Sequence, residues 1–447
     1  MKKLLFTLLI LPFLSSAQTD SLALKADELL TAYAKQDKFA GAVLIAKDGK
    51  VVFEKGYGFA NREKNLPNTP QTEFRIGSLT KSFTATLIMQ LQEKGKLSIH
   101  DPISKYIPDY PKGDSIRIEN LLNHTSGIVS ITSMKAYYET WMKEVTTPVQ
   151  SISRFKNEPL RFAPGSKFEY SNSNYILLSH IAEKASGKSF KDLLTAQLTS
   201  KAGMKNSGMD ETNRTSELRA KGYQATPDAE YGDARFVEMS VLTGAGAMFS
   251  TVRDLYQYDR ALYGKLLLSE ASKKQMFTPG KGDYGYGWEI TRNNDRTEIS
   301  HTGQTDGFQA NMIRYPEEDI CIIYLSNYMD SKGPQISKAL TALVFNEPYE
   351  LPKEHKMITL DPAVYNRYTG KYVMEKGPAL FVAVEDGKLK ARLETQPFFT
   401  LLPESETRFF VKKPEAEVEF TKDPQGNVAG ITLSQGKKSM SWKKAEQ

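Results

Sequence analysis

The chain has 447 residues, 40% hydrophobic and 25% charged, with a formal net charge of +6. That length allows two or three domains with buried cores, and basic residues scattered along the chain argue against a nucleic-acid partner. A single cysteine, Cys321, excludes an internal disulfide; five histidines without a His-Glu-x-x-His pattern suggest no zinc ligand set, and no metal or other cofactor is expected.

Residues 1–17 read as a secretory signal: Lys2 and Lys3, an apolar run from Leu4 to Leu14, and the small residues Ser15, Ser16 and Ala17 before Gln18. The run is short for a membrane span, and no other stretch is long and apolar enough. The expectation is an exported chain, periplasmic or secreted, without a stable membrane anchor. A helical segment from Leu22 to Ala34 follows, then strands Gly41 to Ala46 and Lys50 to Lys55 around the turn Asp48-Gly49.

Ser78 and Lys81 come next, one helical turn apart and followed by the apolar positions Phe83, Leu87, Ile88 and Leu91. A serine hydroxyl needs a neighbour to take its proton, and residues i and i+3 share a helix face, so the amine can reach the oxygen. The helix N-terminus adds positive partial charge where an alkoxide would form. Ser153/Lys156, Ser434/Lys437 and Ser441/Lys444 share the spacing but read as polar surface.

Tyr170 and Asn172 lie two apart on an extended stretch before a second apolar helix closed by Gly187, so both side chains can face one side. A phenol beside a lysine ammonium has a lowered pKa and can act as a base; the alternative is a half-buried tyrosine with a bonded hydroxyl. Asn172 also suits a helix N-cap. The segment from Ile299 to Phe308 reads as a strand entering a Gly-containing turn, with a partner strand from Gln309 to Tyr315. His301 there can bond a substrate, shuttle a proton, or be an ordinary polar strand residue. Cys321, within the apolar strand Ile320 to Leu325, reads as an inert core thiol.

Strands at both ends of a helical middle suggest one antiparallel sheet closed by distant segments with helices packed on it, an α+β fold. A final helix covers about Gln335 to Phe345. A proline-bearing linker, 347–360, separates this domain, 18–346, from residues 361–447. There, short alternating strands (Leu380 to Val384, Lys388 to Leu393, Arg408 to Val411, Val418 to Phe420, Val428 to Leu433) read as a small all-β barrel or sandwich.

Three ordered motifs, Ser78-x-x-Lys81, Tyr170-x-Asn172 and His301-Thr302-Gly303, resemble the serine β-lactamase and penicillin-binding-protein superfamily. The Tyr-x-Asn version is similar to the branch holding class C β-lactamases, D-alanyl-D-alanine carboxypeptidases, D-aminopeptidases and related esterases. Leu121 to Ile128 looks like its active-site rim, and the C-terminal part resembles the lipocalin-like domain of some relatives. The resemblance implies acyl transfer: Ser78 attacks a carbonyl, Lys81 and Tyr170 share the proton work, and Asn172 holds the substrate amide or orients Lys81. It also implies an oxyanion hole from the backbone N–H groups of Ser78 and Gln304, with His301, Thr302, Gly303 and Gln304 on the substrate side. The expected partner is a small-molecule or peptide substrate. D-residue peptides come first, small esters second, and a non-catalytic penicillin-binding or sensor protein is the alternative class. His301 stands where many relatives carry lysine, so capture of a substrate carboxylate, and with it β-lactamase activity, should be weak. No Gly-x-Ser-x-Gly occurs, which disfavours an α/β-hydrolase.

Overall fold

The computed structural model describes residues 13–226, 231–412, 415–436 and 438–445. Residues 1–12 of the expected signal segment lie outside them. The chain divides into two compact units, Met1–Pro352 and Lys353–Gln447.

The first unit is an α+β fold built on a six-stranded antiparallel sheet. After helix α1 (Phe13–Lys35), strands β1 (Gly41–Lys47) and β2 (Lys50–Tyr57) form the hairpin read from Asp48-Gly49. Both turn residues take positive φ, 52° and 70°, as that tight turn requires. The remaining strands, β3 (Glu289–Asn293), β4 (Arg296–Thr305), β5 (Phe308–Tyr315) and β6 (Ile320–Ser326), come from the far end of the segment. The order is β3-β4-β5-β6-β1-β2, so β1 docks between β2 and β6 and joins the two ends of the chain segment. This explains why Gly41 to Ala46 and Ile320 to Ser326 are nearly uninterrupted apolar runs: they are central strands covered on both faces. Ala42 and Leu44 face one core with Cys321 and Ile323; Val43 and Ile45 face a second with Ile322 and Tyr324.

Three helices carry the site or its support. Helix α2 (Thr80–Glu93) is buried all round from Thr80 to Leu91, as expected of a helix at the centre of a domain. Its hydroxyls are bonded: Ser82 donates to the Leu79 carbonyl at 2.8 Å, Thr86 to the Ser82 carbonyl at 2.9 Å, and Thr84 to the distant Gly244 carbonyl at 2.7 Å. Helix α3 (Asn172–Ser186) ends on Gly187 at φ 72°, and α4 (Val252–Tyr263) starts on a Thr251 side-chain cap. On the opposite face of the sheet, α5 (Gly333–Val344) packs beside α1.

The second unit is a nine-stranded antiparallel sheet with strands β7 (Gly370–Val373), β8 (Leu380–Glu385), β9 (Lys388–Leu393), β10 (Phe399–Thr400), β11 (Leu402–Pro403), β12 (Arg408–Val411), β13 (Ala416–Lys422), β14 (Val428–Gln435) and β15 (Lys438–Lys444). The order runs β10-β9-β8-β7-β15-β14-β13-β12-β11. The two edge strands are separated along the chain only by Leu401, so the ends of the sheet meet and the barrel is nearly closed. Tyr372, Phe409, Phe420 and Trp442 fill its core. Strand β15, between β7 and β14, went unread in the sequence because it exposes all but Trp442 and Lys444.

Candidate active site

Ser78 sits in a 3₁₀ turn, Gly77–Leu79, that leads into α2, and Gly77 holds φ 50°. The glycine is required sterically as well: a Cβ there would lie 2.7 Å from the Gln304 backbone nitrogen. On the other side of the contact, a Cβ on Gly303 would lie 1.9 Å from the Ile76 carbonyl oxygen. Two glycines therefore let β4 press against the nucleophile turn and bring the backbone of Gln304 beside Ser78. β3 pairs with β4 only over Arg296–Ser300, which leaves residues 301–305 of β4 without a strand on that side among the described residues. An extended substrate backbone can add to such an edge.

Ser78 is partly exposed, whereas Lys81 is fully buried. Lys81 Nζ is 3.0 Å from Ser78 Oγ, 2.7 Å from Asn172 Oδ1 and 2.6 Å from the Ala245 carbonyl. The Asn172 amide is oriented by its own Nδ2, which donates to Thr132 Oγ1 at 2.8 Å, so Oδ1 must face the lysine. Burial holds the Lys81 pKa well below the ordinary lysine value. A neutral amine has two N–H donors and one lone pair. In that uncharged form Asn172 and Ala245 take the donors and leave the lone pair for the Ser78 hydroxyl proton.

Tyr170 packs at the mouth of this group, 36% exposed. The expectation of a lowered phenol pKa is corrected here. Desolvation raises it, with the Ser78 hydroxyl offsetting part of the rise. Lys81 Nζ lies over the ring face, 4.9 Å from its centroid, rather than at the phenol oxygen as an ion-pair partner.

His301 turns into the interior, 1% exposed. Its Nδ1–H donates to the Thr302 carbonyl at 2.6 Å, which fixes the tautomer, so Nε2 accepts from the Tyr284 hydroxyl at 2.8 Å. Burial, then the charge of Lys81, pushes its pKa down to about 3 despite the opposing bond to Thr302. His301 is therefore a neutral, doubly engaged ring. Thr302 and Gln304 alternate with it along β4 and project to the opposite face, where they line a cavity of about 660 Å³ beside α5. The structure thus gathers Ser78, Lys81, Tyr170, Asn172 and the backbone of Gly303 and Gln304; it does not bring the side chains of Thr302 and Gln304 to the nucleophile. Thr132, Ala245 and Tyr284 were not read as site residues in the sequence. They lie 40, 164 and 17 positions from their partners in the chain and have no spacing signal.

Fold and constellation together define a serine hydrolase whose nucleophile has a lysine neighbour. The chain belongs to the Beta-lactamase family, whose model matches residues 26–345; residues 354–446 match a domain of unknown function, DUF3471. Penicillin-binding protein 4* of Bacillus subtilis (strain 168) is 33% identical over 414 residues, covering 87% of this chain and 91% of that protein. The octameric penicillin-binding protein homologue from Pyrococcus abyssi superposes with a TM-score of 0.66 at 25% identity, covering 95% of this chain and 99% of that one. A D-amino acid amidase from Ochrobactrum anthropi SV3, complexed with L-phenylalanine amide, gives a TM-score of 0.64 at 25% identity over 73% of this chain and 99% of its own.

Proposed function

We propose that the protein cleaves an amide bond next to a D-residue through an acyl-enzyme on Ser78. The carrying observation is the Lys81 amine, 3.0 Å from Ser78 Oγ with its two other contacts both acceptors. Lys81 takes the Ser78 proton as the oxygen attacks the substrate carbonyl. The backbone N–H groups of Ser78 and Gln304 hold the developing oxyanion, a contribution of about 3 kcal/mol for each well-aimed donor. Tyr170, protonated at rest, relays the proton to the leaving amine, and water on the reverse path frees the acyl group. Asn172 orients Lys81, and the open edge of β4 aligns the substrate backbone.

Neutral His301 supports substrates that present no carboxylate at its position, which favours an aminopeptidase or amidase type of reaction over a carboxypeptidase; the D-amino acid amidase relative supports the same direction. Export to a periplasm or the outside of the cell belongs to this proposal and accords with a wall-peptide substrate. The test is active-site labelling. A fluorophosphonate should add once, at Ser78, by peptide mass mapping, and Lys81→Ala should slow that labelling by about 10³-fold or more while circular dichroism is unchanged. D-aminoacyl nitroanilides should then turn over faster than D-Ala-D-Ala peptides. Labelling elsewhere, or unimpaired labelling in the variant, overturns the reading.

A further inference from the structure

Tyr170 has no catalytic geometry unless the backbone on either side of it is fixed; Ser130 and Thr132 hold Asn172, and one other residue holds the chain around Tyr170. His124 follows the short helix Ile118–Leu122 and is completely buried, at φ 56°. Its carbonyl accepts the Glu169 N–H at 3.0 Å, and its Nδ1 accepts the Ser171 N–H at 3.2 Å. The two bonds grip the chain immediately before and immediately after Tyr170. The imidazole itself lies against the Tyr170 ring, with centroids 4.3 Å apart.

The tautomer is determined by the neighbours. Ser126 donates to Asn174 Oδ1 at 2.7 Å, so Asn174 Nδ2 is the atom that faces His124 Nδ1, at 3.1 Å. Two donors converge on Nδ1, so it carries no proton, and the ring proton sits on Nε2. Nε2 is buried and has no hydrogen-bond partner among the described residues. The imidazole packs against the rings of Tyr170, Tyr175, Tyr284 and Phe168. A left-handed backbone and an orphan donor on one residue are both unfavourable, and such features persist where the surroundings impose a geometry.

We propose that His124 is the positioning residue for Tyr170: as a neutral Nδ1 acceptor it fixes the backbone on both sides of that residue and the place of its ring beside Lys81, while Ser130 and Thr132 hold Asn172. The proposal rests on the reading that the Tyr170 side chain acts on Ser78 chemistry. Asparagine is the informative replacement, because its Oδ1 occupies the place of Nδ1 and it tolerates positive φ. Phenylalanine keeps a ring and removes the acceptor.

Hydrolysis of p-nitrophenyl acetate measures the outcome. His124→Phe should lower kcat by about 30-fold or more with KM within about threefold, and His124→Asn should recover kcat to within about fivefold of the parent, the scale of loss expected when reacting groups shift by about 1 Å. Equal losses in the two variants, or a change confined to KM, would overturn the assignment. Nitrogen-15 spectra of the unmodified protein provide an arm that needs neither turnover nor a foldable variant. They should show His124 with an unprotonated Nδ1 and a slowly exchanging Nε2–H; a protonated Nδ1 would overturn the assignment equally. Failure of the parent protein to label at Ser78 would instead remove the hydrolase reading and leave the tautomer result standing.

Discussion

Lys81 and Ser78 were legible as a pair because their relation is local: one helical turn and a following apolar run. What the sequence could not show is the protonation state that makes the pair work. The pKa of a lysine depends on what surrounds it, and here the surroundings are the Ala245 carbonyl, Asn172 and two tyrosine rings from other parts of the chain. Tyr170 was misjudged for the same reason: desolvation raises its phenol pKa, and Lys81 Nζ lies over its ring rather than at its oxygen. The sign of the linkage follows. The unfolded chain binds a proton at Lys81 below about pH 10.4 that the folded chain does not, so its burial weakens the fold increasingly as pH falls toward the depressed value. His301 offers a second residue-scale consequence. A neutral ring held by Tyr284 and the Thr302 carbonyl cannot anchor a β-lactam carboxylate as a cation would. Steady-state hydrolysis of a chromogenic cephalosporin should therefore stay below a kcat/KM of about 10⁴ M⁻¹s⁻¹, the low end for enzymes on their own substrates. A value well above that would show that carboxylate capture has another source.

At the scale of elements, the cleft depends on how closely β4 meets the Gly77–Leu79 turn. Gly303 is the contact point, and any side chain there collides with backbone rather than with a movable side chain. Gly303→Ala should destabilise the protein by about 1–3 kcal/mol, the usual range for overpacking, and should depress Ser78 labelling further than the loss of folded protein explains. Calorimetry and labelling on the same sample would check both parts, and a variant with parental melting and labelling would mean the strand does not press on the turn. The hairpin at Asp48-Gly49, the helix starting at Asn172 and the strands around His301 could all be read from turn residues and alternation. β3 could not, because its Glu289, Thr291 and Arg292 disguise a short edge strand. His301, Thr302, Gly303 and Gln304 were read together on the substrate side, whereas the strand's alternation turns the Thr302 and Gln304 side chains to the other face, and which face holds the nucleophile emerges only from packing.

At the scale of the whole molecule, the two units have separate hydrophobic cores. Every buried residue of the barrel core comes from beyond residue 360, and the two cores around the six-stranded sheet come from residues 26–344. A chain ending at Pro352 should then fold and label at Ser78 within about threefold of the full-length rate, as expected of a domain with its own core. An unfolded or unreactive truncation would show that the barrel contributes to the site or its stability. The account as a whole turns on an uncharged Lys81 activating Ser78, and the most direct measurement is the pH dependence of Ser78 acylation by a fluorophosphonate in the parent protein and in Tyr170→Phe. The prediction is a rate that is already on its plateau near neutrality and falls on acidification as the amine takes up a proton, with the same midpoint in both proteins. A rate that climbs only toward pH 10, with a limb that disappears in Tyr170→Phe, would contradict it and identify the phenol as the base.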